Sequence, residues 1–163
     1  RGSYGSARPE TRARISGIRV GARLDNRGYH RDSRYGRVTY LADHLDTNHG
    51  TQAVADLGAI EIAIARYKAA NRGALPVNLS QLQLGVWKDP WGNPYHYVNL
   101  ESADGLERRS DFNSNPLNRD YDLYSVGRDG RTASSLASPL TRDDVFRGLS
   151  GSFFGNASEY PGR

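Results

Sequence analysis

The sequence predicts an α+β fold, in which a long α-helix packs on a small antiparallel β-sheet and a loop region forms the C-terminal part. Apolar residues recur every three or four positions over 51–71, which is the period of an amphipathic helix. Two short alternating runs follow, at 95–100 and 121–126, and a period of two is typical of strands. A helix followed by hairpin-connected strands is the pattern of an α+β domain.

The helix is defined by one apolar stripe and by the residues at its ends. The stripe consists of Val54, Leu57, Ile60 or Glu61, Ile64 and Tyr67. Thr51 or Asn48 can cap the start, because both side chains accept hydrogen bonds from the free N–H groups of a first turn. Gly73 is a suitable C-cap, and Pro76 prevents the helix from continuing. The sequence therefore predicts a helix over 51–71.

A rigid turn precedes the first predicted strand. Asp89-Pro90 and Gly92-Asn93-Pro94 favour turns, because proline fixes φ while glycine and asparagine tolerate a positive φ. Trp91 lies between the two prolines and offers a large apolar side chain. We expect this side chain to hold the turn against the helix.

The two predicted strands form a hairpin with a long connection. Tyr95 and Tyr97 share one face of the first strand, and Tyr121 in the second strand can pair with one of them. The polar segment 101–119 separates the strands, which predicts an antiparallel pair. The C-terminal part holds two further candidate elements, a strand or short helix at 143–149 and an aromatic patch at Phe153-Phe154.

The first fifty residues differ in composition from the rest. Residues 1–38 carry ten arginines and three acidic residues, in a chain of net charge +4. Their apolar residues are isolated, so we expect this segment to be disordered, or to take its order from a neighbour that it contacts. Residues 39–50 can form a turn or two of helix. We therefore divide the chain into an Arg/Gly-rich extension at 1–50, disordered or not native to the domain, and a domain at 51–163.

Composition excludes several classes of protein. No run of about 18 apolar residues occurs, so the chain as given cannot span a membrane, and no signal peptide is visible. Cysteine is absent, which excludes disulfides, thiolate metal sites and a cysteine nucleophile. Methionine is absent too, and we expect the chain to be a processed product or a fragment.

The histidines and serines form no recognisable catalytic arrangement. His44 and His49 flank Asp46, but they lack the i, i+4 spacing that places two ligands on one helix face, so we interpret them as polar surface. His96 lies between two tyrosines of a predicted strand and is expected to face solvent. No serine lies in the G-x-S-x-G elbow of a hydrolase. The sequence therefore predicts that the protein is not an enzyme.

Acidic residues in the C-terminal part form a candidate metal site. Asp129 lies in the turn after the second predicted strand, and Asp143-Asp144 follow a loop rich in serine and threonine. Adjacent carboxylates with loop carbonyls suit Ca²⁺, which takes six to eight oxygen ligands from flexible loops. Asp143 after Thr141 is equally well explained as the start of a helix, where a carboxylate interacts favourably with the dipole. The residues alone leave both interpretations open.

Three segments occur in a recognisable order. They are the helix ADLGAIEIAIARYKAANRGALP, then KDPWGNPYHY at 88–97, then DLYSVGRDG at 122–130, with Asp143-Asp144-Val145 after them. This series resembles the major pseudopilin of type II secretion systems, a family within the type IV pilin superfamily. The DPWG-x-PY segment is similar to the family's most specific signature, and the acidic pair is similar to the one that closes its calcium loop. The resemblance covers 51–163.

The resemblance implies a pilin-like fold and a structural function. Subunits of this family stack through their helices into a periplasmic filament, with other pseudopilins and secretion-system components as partners, and the filament drives folded proteins across the outer membrane. The full-length parent is then anchored in the inner membrane of a Gram-negative bacterium by an apolar helix, which residues 1–50 do not match. Calcium is the implied cofactor, with Asp143 and Asp144 as side-chain ligands and the Val126 carbonyl and Asp129 completing the shell.

Two alternative functions stay open. A type IV pilin or a minor pseudopilin has the same expected architecture. A module that binds nucleic acid or an anionic surface through residues 1–38 is the other, because arginines neutralise phosphates and Tyr4, Tyr29 and Tyr35 lie among them. Segments rich in arginine, glycine and serine are more often solvated linkers, so we do not expect nucleic acid as a partner.

Overall fold

The computed structural model describes residues 14–15, 18–19, 33–84, 87–102 and 108–162, with side chains from residue 45 onward. The chain divides into two compact units, Arg1–Asp43 and His44–Arg163. In the first unit, strand β1 (Arg14–Ile15) pairs antiparallel with β2 (Ile18–Arg19). No helix in the described ranges is long and apolar enough to cross a membrane.

The helix is longer than its apolar stripe. α1 runs over Ser33–Ala70, so residues 33–38, for which we expected disorder or order borrowed from a neighbour, are helical. Elongating an existing helix fixes one residue for each hydrogen bond gained, without the cost of a new nucleus, so a segment without its own stripe can extend one that has it. At the other end, the Gly73 N–H donates to the Lys68 carbonyl at 2.8 Å. Arg72, at φ 57°, takes the left-handed conformation that closes this end.

Four antiparallel strands form one sheet in chain order. They are β3 (His96–Asn99), β4 (Tyr121–Ser125), β5 (Val145–Gly148) and β6 (Phe153–Asn156). The predicted hairpin is confirmed as β3 and β4, with Tyr97 opposite Leu123. Of the two interpretations of 143–149, the strand is right. The aromatic patch begins β6, whose sequence FFGN lacks the alternation that predicts a strand.

One face of the sheet packs on α1. The buried residues of this layer are Ala53, Leu57, Ile60, Ile64, Leu75, Tyr95, Tyr121, Leu123 and Val145. The predicted stripe is therefore buried at its centre, while Val54 is only partly buried and Ala53, which is not in the predicted stripe, is fully buried. The rings of Tyr97 and Tyr121 lie 5.4 Å apart, so the expected tyrosine pair is present. The α+β prediction of a helix on a small antiparallel sheet is confirmed.

The opposite face of the sheet is covered by loops. Its buried residues are Leu117, Leu136, Phe146, Ala157 and Tyr160. Phe146 lies 5.5 Å from Phe153 and 5.7 Å from Tyr160, measured between ring centroids. Because Val145 faces the helix, its neighbour Phe146 faces this second cluster. The sheet is thus the middle of three layers.

Candidate functional site

The helix has a second apolar face, which the sheet does not cover. Its exposed apolar residues are Ala55, Ala59, Ile62, Ala65 and Ala69, and the exposed Arg66 lies on the same side, four positions after Ile62. Ala55, Ala59 and Ile62 are spaced by four and three positions, so they lie on one side of the helix. Ile62 is 55% exposed, which is unusual for isoleucine. We call this surface the outer face of α1.

The acidic side chains in the same part of the helix are turned toward the domain. Asp56 Oδ2 accepts a hydrogen bond from the Tyr95 hydroxyl at 2.8 Å. Glu61 Oε2 accepts one from Arg147 Nε at 2.7 Å. Burial, the hydrogen bond to Asp56 and the negative charge of that carboxylate raise the pKa of Tyr95, so its hydroxyl stays a proton donor. A surface helix normally turns its charges to water, as Arg66 and Lys68 do here, whereas the exposed residues between 55 and 62 are all apolar.

Arg147 joins α1 to the sheet. It is only 2% exposed, and its Nη1 donates to Asp120 Oδ1 at 2.9 Å and to the Tyr121 carbonyl at 3.2 Å. Burial opposes the charge of Arg147, but the hydrogen bonds with Asp120 and Glu61 outweigh it and raise its pKa. Burial also acts against ionisation of Asp120, and the bonds from Arg147 nevertheless hold the pKa of Asp120 below its usual value. Helix and sheet are therefore locked together by charged hydrogen bonds.

The turn before β3 is organised by one carboxylate. Asp89 Oδ1 accepts hydrogen bonds from the backbone N–H groups of Trp91 at 3.1 Å and Asn93 at 2.8 Å. Asp89 Oδ2 accepts one from the Ser125 hydroxyl on β4. Trp91 packs against the helix-side core, and His49 of α1 meets its ring edge-on at 5.8 Å. The expectation that Trp91 holds this turn against the helix is confirmed.

The loop between β4 and β5 brings its two ends into contact. A Cβ added to Gly127, at φ 65°, would lie 2.3 Å from the carbonyl oxygen of Asp143, so a side chain is excluded there. The Asp129 N–H donates to Asp143 Oδ2 at 3.0 Å, and the Asp129 carboxylate accepts from the Arg131 N–H at 2.7 Å. The helix-start interpretation of Asp143 is wrong, because a 3₁₀ turn over Pro139–Thr141 precedes it and β5 follows.

Asp144 has different surroundings from its neighbour Asp143. It is fully buried, and its Oδ2 accepts hydrogen bonds from Arg109 Nη2 at 2.6 Å and from the Thr132 hydroxyl at 2.5 Å. Burial raises the pKa of Asp144, and the charge of Arg109 opposes that rise. The guanidinium carbon of Arg109 lies 4.1 Å from the ring centroid of Tyr124. The other oxygen, Asp144 Oδ1, is buried and has no hydrogen-bond partner in the described part of the chain.

The residues of the predicted calcium set, Val126, Asp129, Asp143 and Asp144, are not arranged as one cage. Asp144 faces a positive side chain, Asp143 accepts an N–H, and the Asp129 carboxylate caps its own turn. In the ranges that the structure describes, no three or more His, Asp or Glu side chains are grouped to hold a metal. This arrangement does not fit an ion that takes six to eight oxygens. Calcium binding itself stays a prediction.

The histidines have structural neighbours. His96 is half-buried and stacks on Tyr124, with ring centroids 5.0 Å apart, so the expectation that it faces solvent is wrong. Burial, followed by the nearby charge of Arg109, lowers the pKa of His96. Asp46 pairs with the exposed Arg128. The side chain of His44 lies outside the described residues.

Sequence reasoning did not single out the two buried arginines. Arg109 and its partner Asp144 are 35 positions apart, and Arg147 and Glu61 are 86 positions apart. A charge inside the apolar strand VFRG is a signal for Arg147. Arg109 follows a polar loop and gives no such signal.

No protein-family description, curated protein or solved structure matches this chain. Its function therefore has to be inferred from its own residues and from the resemblance of its motifs.

Proposed function

We propose that this chain is the periplasmic domain of a type II secretion pseudopilin. Copies assemble into a filament that drives the export of folded proteins across the outer membrane. Their partners are further copies, other pseudopilins and components of the secretion system, and the full-length parent is anchored in the inner membrane. The observation that carries the proposal is the uncovered outer face of α1.

An apolar face of small residues suits helix-to-helix assembly. Alanines at positions 55 and 59 allow a second helix to approach closely, since interaxial distances of about 8–10 Å depend on the side chains at the contact. Burying this face is favourable by roughly 25 cal/mol per Å² of apolar surface. Asp56 and Glu61 already have partners inside the domain, so assembly does not strip them of hydrogen bonds.

The rest of the domain fixes the direction in which that face points. The Arg147 hydrogen bonds and the Trp91 turn both tie α1 to the sheet. A helix held rigidly on its own sheet presents the same surface in every copy. Regular presentation is what a filament with repeated contacts requires.

The test is restoration of secretion by variants of the outer face. The chain is joined to an apolar N-terminal helix and expressed in a bacterium that lacks its own major pseudopilin. We expect secretion to be restored, and we expect Ile62→Arg to abolish it, because a charge is placed in the contact. Val77→Arg is the matched control: Val77 is 70% exposed, lies beyond the helix and should tolerate the same change.

Two results would count against the proposal. Normal secretion with Ile62→Arg would show that the outer face is not an assembly surface. Failure of the unaltered chain to restore secretion would contradict the role of major subunit and favour a minor pseudopilin or a type IV pilin. Both variants should unfold within a few °C of the unaltered chain, because exposed substitutions usually change stability by less than about 0.5 kcal/mol.

A further inference from the structure

We propose that Arg109 takes the place of a metal ion in the loop between β4 and β5. The loop is then closed by a positive charge that the chain itself supplies, and its folding needs no calcium. This inference concerns the loop alone and is independent of filament assembly.

Arg109 links three parts of the chain at the point where a metal would be needed. Its backbone N–H donates to Asp122 Oδ2 at 2.8 Å, which fixes it to β4. Its Nη1 donates to the Thr132 hydroxyl at 3.2 Å, inside the loop. Its Nη2 donates to Asp144 Oδ2 at 2.6 Å, just before β5. The guanidinium therefore connects both strands and the loop between them, as a bound cation would.

The surroundings of Arg109 are built for one positive charge. Arg109 is 2% exposed and Asp144 is 0% exposed, so the pair is desolvated on both sides. The face of the Tyr124 ring adds a favourable contact for the guanidinium. A second cation on the free Oδ1 of Asp144 would share one carboxylate with Arg109, and repulsion between the cations is strong at such distances in a buried site.

The ends of the loop are closed without a metal as well. Gly127 packs directly on the Asp143 backbone, and Asp143 Oδ2 accepts the Asp129 N–H at 3.0 Å. The Asn93 amide donates to the Gly127 carbonyl at 2.7 Å, which holds the first end of the loop to the turn before β3. Hydrogen bonds and packing thus hold the ends of the loop together, as metal ligands would otherwise do.

Thermal unfolding of the full chain in excess EDTA and in excess CaCl₂, with MgCl₂ as the ionic control, tests the inference. We expect the same Tm in all three. A calcium ion bound at a hundredfold its Kd would raise the Tm by about 5–10 °C. A calcium-specific rise of that kind, lost in Asp143→Ala, would overturn the inference and establish the calcium prediction.

Variants of the ion pair give a second, independent readout. Arg109→Gln should lower the Tm by on the order of 10 °C, because it leaves a buried carboxylate without a counter-charge. Arg128→Gln makes the same change in the exposed pair with Asp46 and should lower it by less than about 2 °C. Arg109→Gln combined with Asp144→Asn removes both charges and should recover most of the loss, which keeps the test usable if the single variant does not fold. Equal losses for Arg109→Gln and Arg128→Gln, or no recovery in the double variant, would contradict the inference.

Discussion

Each face of the sheet buries one arginine, and both arginines lie on tyrosines of the same strand. On the helix side, the guanidinium carbon of Arg147 is 4.0 Å from the Tyr121 ring centroid. On the loop side, that of Arg109 is 4.1 Å from the Tyr124 ring centroid. Both arginines are 2% exposed. The two faces of β4 therefore start from nearly the same arrangement of cation and ring.

The carboxylate partners make the two arginines different. Arg147 pairs with Glu61 and Asp120, whose side chains are 27% and 30% exposed. Among the described residues, Arg109 forms an ion pair with Asp144 alone, whose side chain is 0% exposed. On the helix side, Arg147 thus has two ion-pair partners that are partly exposed to water. On the loop side, the ion-pair partner of Arg109 is buried. Losing a partner should therefore be tolerated on the helix side and should be severe on the loop side.

We expect the largest effect when one carboxylate is changed to an amide on each face of the sheet and the two losses of stability are compared. Asp144→Asn leaves the buried Arg109 without its ion-pair partner, and we expect it to lower the free energy of unfolding by about 3–5 kcal/mol. Glu61→Gln leaves Arg147 paired with Asp120, and we expect a loss of about 1 kcal/mol. Urea unfolding of both variants measures the two values. Similar losses would mean that partner number and burial do not distinguish the two faces.

A smaller effect should appear on acidification, through Asp120 on the helix side of the sheet. The folded-state pKa of Asp120 is lowered, so its stabilising contribution is present above its unfolded value, 3.8, and is lost as the pH falls through the folded value. Asp120→Asn should therefore lose less stability than the unaltered chain between about pH 5 and pH 2.

Urea midpoints of Asp120→Asn and of the unaltered chain, taken across this pH range, give the two slopes. Equal slopes for the two proteins would contradict the lowered pKa of Asp120.

Local sequence patterns predicted the helix centre and the first hairpin. Leu57, Ile60 and Ile64 have helical spacing and are buried, and Tyr97 and Tyr121 meet across β3 and β4 as the alternation implies. These elements depend on neighbours close in sequence, which periodicity reports directly. The start of α1 at Ser33 and the strand β6 have no such pattern and were not predicted.

The candidate sites were harder to predict because they depend on long-range contacts. The adjacent acids Asp143 and Asp144 were expected to act together, but they meet different partners, as consecutive residues of extended backbone point to opposite sides. Arginines are mostly exposed in proteins, so neither Arg109 nor Arg147 was expected in the interior. The outer face of α1 was overlooked because alanine contributes little to an apolar stripe.

The most direct test of the central claim is the accessibility of one side chain before and after assembly. The chain has no cysteine, so an introduced thiol is a unique reporter. Ile62→Cys and Val77→Cys are each labelled with a maleimide, in the purified chain and in secreting cells that express the chain behind an apolar N-terminal helix. We predict that both thiols react in the purified chain and that only Ile62→Cys becomes protected in the cells. Equal labelling of Ile62→Cys in the two states would contradict the assembly of this protein through the outer face of its helix.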